Sequence, residues 1–325
     1  MVLVTGGTGF LGAVLIDQLL NQKETVRATH RVGSHIPEIL QNRTGLEWIV
    51  ADMLDYFALE KAFDQITEVY HCAAQVSYHP AHRHSMWNTN VEGTAHVVNL
   101  SLKHAARLVH VSSIASLGEG KPGRDTDEED LWEQGSSPSA YALAKYHSEM
   151  EVWRGFSEGL NGVIVNPSLI IGASAGHRGS GAVFHLLHKG LRFYPGGSVG
   201  LVDVEDVAYA MIQLMSRSDI SEERFIVSNV NMTHKDLLGQ CSQYLGRPAP
   251  GMQARAWMLA LAWRASAMVA WLSGKKSALT KESARASTKK LRFSNQKLVD
   301  CIGMEFKPIE QTLKEICTEV LNQNA

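Results

Sequence analysis

The chain has 325 residues, 31 basic against 33 acidic side chains, a formal net charge of −2 and 45% hydrophobic residues. That length exceeds one minimal domain and fits a large α/β unit with a smaller part. The near-neutral charge, without a block of like charges, points away from nucleic acid and from an anionic membrane surface, and the four scattered cysteines (Cys72, Cys241, Cys301, Cys317) argue against a zinc site or a disulfide framework.

The first element is a short apolar strand, MVLV, with no charged-then-apolar leader ahead of Val2, so a cytoplasmic location is expected. TGGTGFLG follows (Thr5, Gly6, Gly7, Thr8, Gly9, Phe10, Leu11, Gly12) and runs into a segment with helical apolar spacing. Strand, glycine-rich turn and helix in that order make a nucleotide site. An early glycine permits the turn, Gly9 lets backbone approach a pyrophosphate, and Gly12 lets the helix pack closely. The helix N-terminus offers free N–H groups to the phosphates.

Further strands are expected near 25–29, 46–50, 68–72, 108–111 and 163–166, with helices near 11–21, 56–63, 89–104 and 141–156. This alternation gives an α/β fold, a Rossmann-type doubly wound parallel sheet. Ligands bind such sheets beyond the C-terminal strand ends, which lines up 5–12, 71–75, 112–118 and 166–172 on one rim. After Gly172 glycines break the pattern. Helices near 206–215, 234–245 and 308–322 and a strand at 224–228 remain. Residues 1–172 read as the dinucleotide-binding domain, with later segments returning to it. Residues 173–325 read mostly as a smaller C-terminal α/β substrate lobe. Trp257 to Leu272 (WMLALAWRASAMVAWL) is too short to span a membrane and reads first as a buried or half-buried helix. A lid, a subunit contact and a surface membrane contact are the alternatives. The basic run beside it (Lys275, Lys276, Lys281) is thin, and no membrane partner is expected.

Tyr141-Ala-Leu-Ala-Lys145 sets a phenol and an ammonium on one helical face, with Ser139 or Ser137 as the cap. Together with the glycine turn and VSSIASLG (111–118), the chain resembles the extended short-chain dehydrogenase/reductases of the NAD-dependent epimerase/dehydratase family. The other matching strings are Asp52 in ADMLD, HCAA (71–74), NTNVEGT (88–94), NPSLIIG (166–172), VDVEDVAYA (202–210) and the tail 293–308. The resemblance is closest to dihydroflavonol-reductase-like and 3β-hydroxysteroid-dehydrogenase-like members.

The resemblance implies roles. Tyr141 would be the acid or base at a carbonyl oxygen. Lys145 would bond the nicotinamide ribose, and Ser113, favoured over Ser112, would bond the substrate oxygen. Asn90 would hold a water in a proton path. Met53, Cys72, Ala73, Ala74, Ser112, Pro167, Ser168 and Ile170 would border the cofactor. Asp52 would meet the adenine, or else cap the next helix. Physically, an ammonium about 7 Å from a phenol, at an effective dielectric near 20, favours the phenolate by about 2 kcal/mol.

No carboxylate closes the second strand, TVRATHR. Arg31 stands there instead, suited to a 2′-phosphate, with Arg27, Thr29 and His30 nearby. NADP is therefore the expected cofactor, with NAD as the alternative. The expected function is reduction of an aldehyde or ketone, or oxidation of a secondary alcohol. A nucleotide-sugar epimerase or dehydratase with tightly bound NAD is the second hypothesis, and a non-catalytic cofactor sensor the third. The string NPSLIIG lacks the arginine and tyrosine expected for a nucleotide sugar, which favours the first. His79, His82 and His84 read as a substrate-facing wall rather than a metal site. Asp206 is expected to cap the helix after it. The resemblance implies a homodimer through the helices near 89–104 and 141–156.

Overall fold

The computed structural model describes residues 1–120, 123–132, 138–176, 179–273 and 280–324. Seven strands form the central sheet: β1 (Val2–Thr5), β2 (Val26–His30), β3 (Leu46–Val50), β4 (Glu68–His71), β5 (Arg107–Val111), β6 (Gly162–Pro167) and, later in the chain, β10 (Glu223–Val227). Their order is β10-β6-β5-β4-β1-β2-β3, and every pairing is parallel. The chain reverses direction across the sheet between β1 and β4, where both flank the glycine turn. That is the crevice in which a doubly wound sheet takes its ligand.

Side-chain alternation explains the layers. Val2 and Val4 face one side, with Val26, Ala28, Val109, Val163 and Phe225, beneath helices Phe10–Asn21 and Val204–Ser216. Leu3 faces the other, with Val69, Leu108 and Ile164, beneath Tyr56–Ala62, Gly93–Lys103 and Ala140–Ser157. Both faces are covered, as the nearly unbroken apolar strands require.

Five shorter strands escape the sequence pattern. β7 (Leu169–Ile171), β9 (Ser198–Asp203) and β11 (Val230–Thr233) form a second sheet, ordered β11-β9-β7. β8 (Phe193–Pro195) pairs with β12 (Met252–Ala254). Four are three or four residues long, too short for a period of two to show, and the six-residue β9 is broken by Gly200. A separate core of Phe184, Leu187, Leu237, Leu238, Leu313 and Ile316 closes this lobe.

Three helix expectations change. The helix expected near 89–104 divides into Arg83–Trp87, a π-helical turn at Asn88–Glu92, and Gly93–Lys103. The helix expected from Asp206 starts at Val204, because Asp203 is the cap and accepts from the Glu205 N–H at 2.8 Å. The apolar helix forms at Ala256–Ser273, but Trp257, Leu261 and Met268 on it are exposed rather than buried. Among the described residues no helix is long and apolar enough to cross a membrane.

Candidate active site

The glycine turn leaves β1 at buried Thr5 and enters its helix at Phe10. Gly6 has φ +70°, and a Cβ there would lie 2.7 Å from the Ala73 Cα. Only glycine lets the turn cross the exit of β4 so closely. A Cβ on Gly12 would run into the Gly6 carbonyl, so helix and turn touch backbone to backbone. Gly7 is buried and Leu11 joins the core, while Thr8 and Phe10 are half-buried. Gly9 is exposed and caps the helix without a side chain, which leaves the first helical N–H groups open to an anion. The turn therefore fits a pyrophosphate.

At the end of β2, Arg31 is exposed and pairs with no carboxylate among the described residues. Arg27 is not its helper. Its guanidinium donates to Glu47 and to the Ala62 and Asp64 carbonyls, tying β2 to its neighbours. Thr29 is buried, its carbonyl accepting from the Gly7 N–H, and His30 packs edge-on to Trp48. Beyond β3, Asp52 is exposed and accepts from the Leu54 N–H at 2.9 Å. The helix cap is Asp55, which accepts from Ala58. Met53 is buried against Gly93.

Beyond β4, Cys72 and Ala73 are half-buried and Ala74 is exposed on the rim. Burial pushes the Cys72 thiol up to about 12, so it is inert packing. Asn90 lies in the π-helical turn, buried, with both ends of its amide spent on one residue. Its Oδ1 accepts from the Gln75 N–H at 2.7 Å and its Nδ2 donates to the Gln75 carbonyl at 3.0 Å. Through these two bonds Asn90 clamps the rim loop. His79 accepts from the Ala81 N–H and His82 pairs with Ser77, which fixes that loop's local turns.

The choice between the two serines is decided behind β5. The Ser112 hydroxyl is buried and donates to Glu149 Oε2 at 2.6 Å. The Ser113 side chain acts on Tyr141, pulling its phenol down, and accepts from the Ala115 N–H. Ser139 caps helix Ala140–Ser157, accepting from the Ala142 N–H at 3.1 Å; Ser137 lies outside the described residues.

Tyr141 and Lys145 lie one helical turn apart on helix Ala140–Ser157. Burial raises the Tyr141 phenol to about 12, only partly opposed by Ser113. The Lys145 ammonium is buried at 4% exposure and donates to the Val111 carbonyl at 2.8 Å. Loss of solvation lowers it to about 8, with Cys72 and Glu149 pulling the other way. Tyr78, from the rim loop, stands edge-on to Tyr141 with ring centroids 5.8 Å apart. Pro167 and Ser168 are buried at the end of β6, the Ser168 hydroxyl without a hydrogen-bond partner, and Ile170 is half-buried.

Two buried polar groups behind this rim were not singled out from sequence. Glu149 accepts from Ser112, Ser116, Asn166 and the Arg224 guanidinium. His71 lies between Thr5, at 2.7 Å, and Thr94, at 3.0 Å. Thr94 donates its own proton to the Asn90 carbonyl, so His71 carries its hydrogen on Nε2 and accepts from Thr5 on Nδ1. Burial holds His71 down to about 3, neutral at any working pH. It ties the nucleotide turn to the helix that carries Asn90.

A sequence model described as the NAD dependent epimerase/dehydratase family matches residues 2–228. The chain belongs to that family. A Synechocystis protein provisionally named dihydroflavonol 4-reductase is 30% identical over 323 residues, covering 96% of this chain and 92% of that one. Cinnamoyl-CoA reductase 1 of Petunia hybrida is 28% identical, covering 97% and 90%. The crystal structure of UDP-glucose 4-epimerase with UDP-glucose from Thermotoga maritima covers 100% of this chain and 99% of its own, at 20% identity and TM-score 0.79. This epimerase/dehydratase family member is thus an NAD(P)-dependent enzyme of the extended short-chain dehydrogenase/reductase type.

Proposed function

We propose that the enzyme is an NADP-dependent reductase of an aldehyde or ketone, running in reverse as a secondary-alcohol dehydrogenase. The observation that carries this is the meeting on the nucleotide rim of Ser113, which pulls the Tyr141 phenol down against the effect of burial, with Tyr141 itself and with Lys145 one helical turn beyond. The glycine turn and the helix N-terminus at Gly9 would hold the pyrophosphate, and Arg31 the 2′-phosphate. When bound, the dinucleotide supplies the hydride. Ser113 donates to the substrate oxygen as negative charge grows there. Tyr141, protonated throughout the neutral range, gives that oxygen its proton. Lys145 orients the ribose, and its ammonium offsets the charge left on the tyrosine oxygen. Cys72, Ala73, Pro167 and Ile170 would wall the ring, while Asp52 and Met53 border the adenine.

The names of the two curated relatives support reduction of a carbonyl or thioester compound. The absence of arginine and tyrosine from NPSLIIG disfavours a nucleotide sugar. A homodimer packed on the outer faces of Gly93–Lys103 and Ala140–Ser157 completes the proposal. The test is Tyr141→Phe, followed by NADPH fluorescence and by NADPH oxidation against a panel of carbonyl compounds. Retained binding with turnover reduced about a thousandfold or more is expected. Full turnover removes the proton-donor role. Protein that purifies with stoichiometric NAD, retained through gel filtration, would establish the epimerase instead.

A further inference from the structure

Helix Ala256–Ser273 carries an apolar stripe that none of the described residues covers. Trp257, Leu261 and Met268 are 60%, 59% and 60% exposed. With Arg264 they follow the i, i+4, i+7, i+11 spacing that puts side chains on one line of a helix. Scattered surface hydrophobics need no explanation, but three large ones in a row do.

The neighbouring face of the same helix says what suits that stripe. Leu259, Ala260 and Trp263 form one wall of a groove of about 420 Å³, and helix Lys281–Ala286 forms the other. Three cations line it, Arg264, Lys281 and Arg285, and no carboxylate does. The Arg264 guanidinium lies 4.7 Å above the Trp263 ring, at the border between groove and stripe. In a chain of formal net charge −2, this concentration of positive charge beside an apolar line is local. A hydrophobic line edged by arginine and lysine matches the boundary between acyl chains and anionic headgroups. Among the described residues no helix is long and apolar enough to cross a bilayer, so this one would lie on the surface.

We infer that the enzyme docks on an anionic membrane surface through Trp257, Leu261 and Met268, with Arg264, Lys281 and Arg285 holding the headgroups. Composition pointed away from a membrane because total charge hides where the cations sit. The same short helix that lines the groove also sends Glu282 toward Arg83, at 3.7 Å, and acts on Tyr78, the neighbour of Tyr141. The docked face therefore adjoins the wall of the candidate active site.

The test is co-sedimentation of the full-length protein with vesicles of phosphatidylcholine, with and without phosphatidylglycerol. Wild-type protein should bind the anionic vesicles and lose them as salt rises. Replacing Lys281 or Arg285 by alanine should weaken binding about fivefold each. The triple variant Trp257→Ser, Leu261→Ser, Met268→Ser should keep its thermal unfolding transition, since the three sites are exposed, and fail to bind. Sedimentation velocity is run on the same samples. Wild-type protein that ignores phosphatidylglycerol overturns the inference, as does a triple variant that binds unchanged. A stripe whose mutation only splits a dimer, without any vesicle binding by the wild type, assigns the face to a second copy and overturns it too.

Discussion

Lys145→Met should stabilise the ligand-free protein at neutral pH while abolishing turnover. The ammonium is 4% exposed and holds one carbonyl, Val111. Its pKa falls from 10.5 to about 8 on folding. At about 1.4 kcal/mol per unit, the folded state carries a penalty of about 3 kcal/mol at pH 7 for keeping that charge. The sign follows from proton counts. Between pH 8 and 10.5 the unfolded chain binds the proton and the folded chain does not, so stability rises with pH across that window and the penalty is below about 1 kcal/mol at pH 10. Methionine fills similar space without the charge but gives up the Val111 hydrogen bond, worth about 1–2 kcal/mol. The net gain at pH 7 is about 1–2 kcal/mol, or a Tm about 2–4 °C higher. At pH 10 the sign should reverse. Differential scanning calorimetry of both proteins at the two pH values measures it. A Tm difference that does not change with pH, or a variant less stable at pH 7, refutes the desolvated ammonium.

Other substitutions separate chemistry from support. Ser113→Ala should lower kcat at least about tenfold with little change in urea unfolding. Ser112→Ala should do the opposite, costing about 1–3 kcal/mol of stability because Glu149 loses a donor, with kcat nearly kept. Arg224→Met leaves the Glu149 carboxylate buried without its cation and should cost about 3–5 kcal/mol in a urea titration, or prevent folding. Arg31→Ala should raise the KM for NADPH at least about tenfold and leave that for NADH nearly unchanged; equal changes would take the 2′-phosphate from Arg31. Alcohol oxidation should climb steeply above pH 8, since the reverse reaction needs the tyrosinate and Tyr141 sits near 12 before ligands bind; a profile flat from pH 7 to 10 contradicts that.

Local signals carried the sheet and the glycine turn. Each depends on neighbours in the chain: the unbroken apolar run Val2, Leu3 and Val4, or four glycines within seven residues. The lobe strands were not legible, because three residues such as Phe193–Pro195 hold too little pattern. The helix at 256–273 was legible as a helix but not in its exposure. A segment apolar on every side carries no direction, so nothing in it marks which side meets water.

The candidate site shows the same division within one helix. Tyr141, Lys145, Ser148, Glu149 and Val152 recur at the spacing of a single helical face. Lys145, Ser148, Glu149 and Val152 are fully buried and Tyr141 partly so. A buried face with that much polarity demands partners, and each has one. Tyr141 meets Ser113, Lys145 meets Val111, Ser148 meets His110, and Glu149 meets Ser112, Asn166 and Arg224. The spacing of this face could have exposed Glu149 as a supporting residue. It could not have shown that the Lys145 ammonium turns to a carbonyl rather than to the phenol, because Val111 lies 34 residues away and only the close parallel pairing of β5 and β6 presents that carbonyl to the helix. Without ligand the phenol is therefore held as an acid.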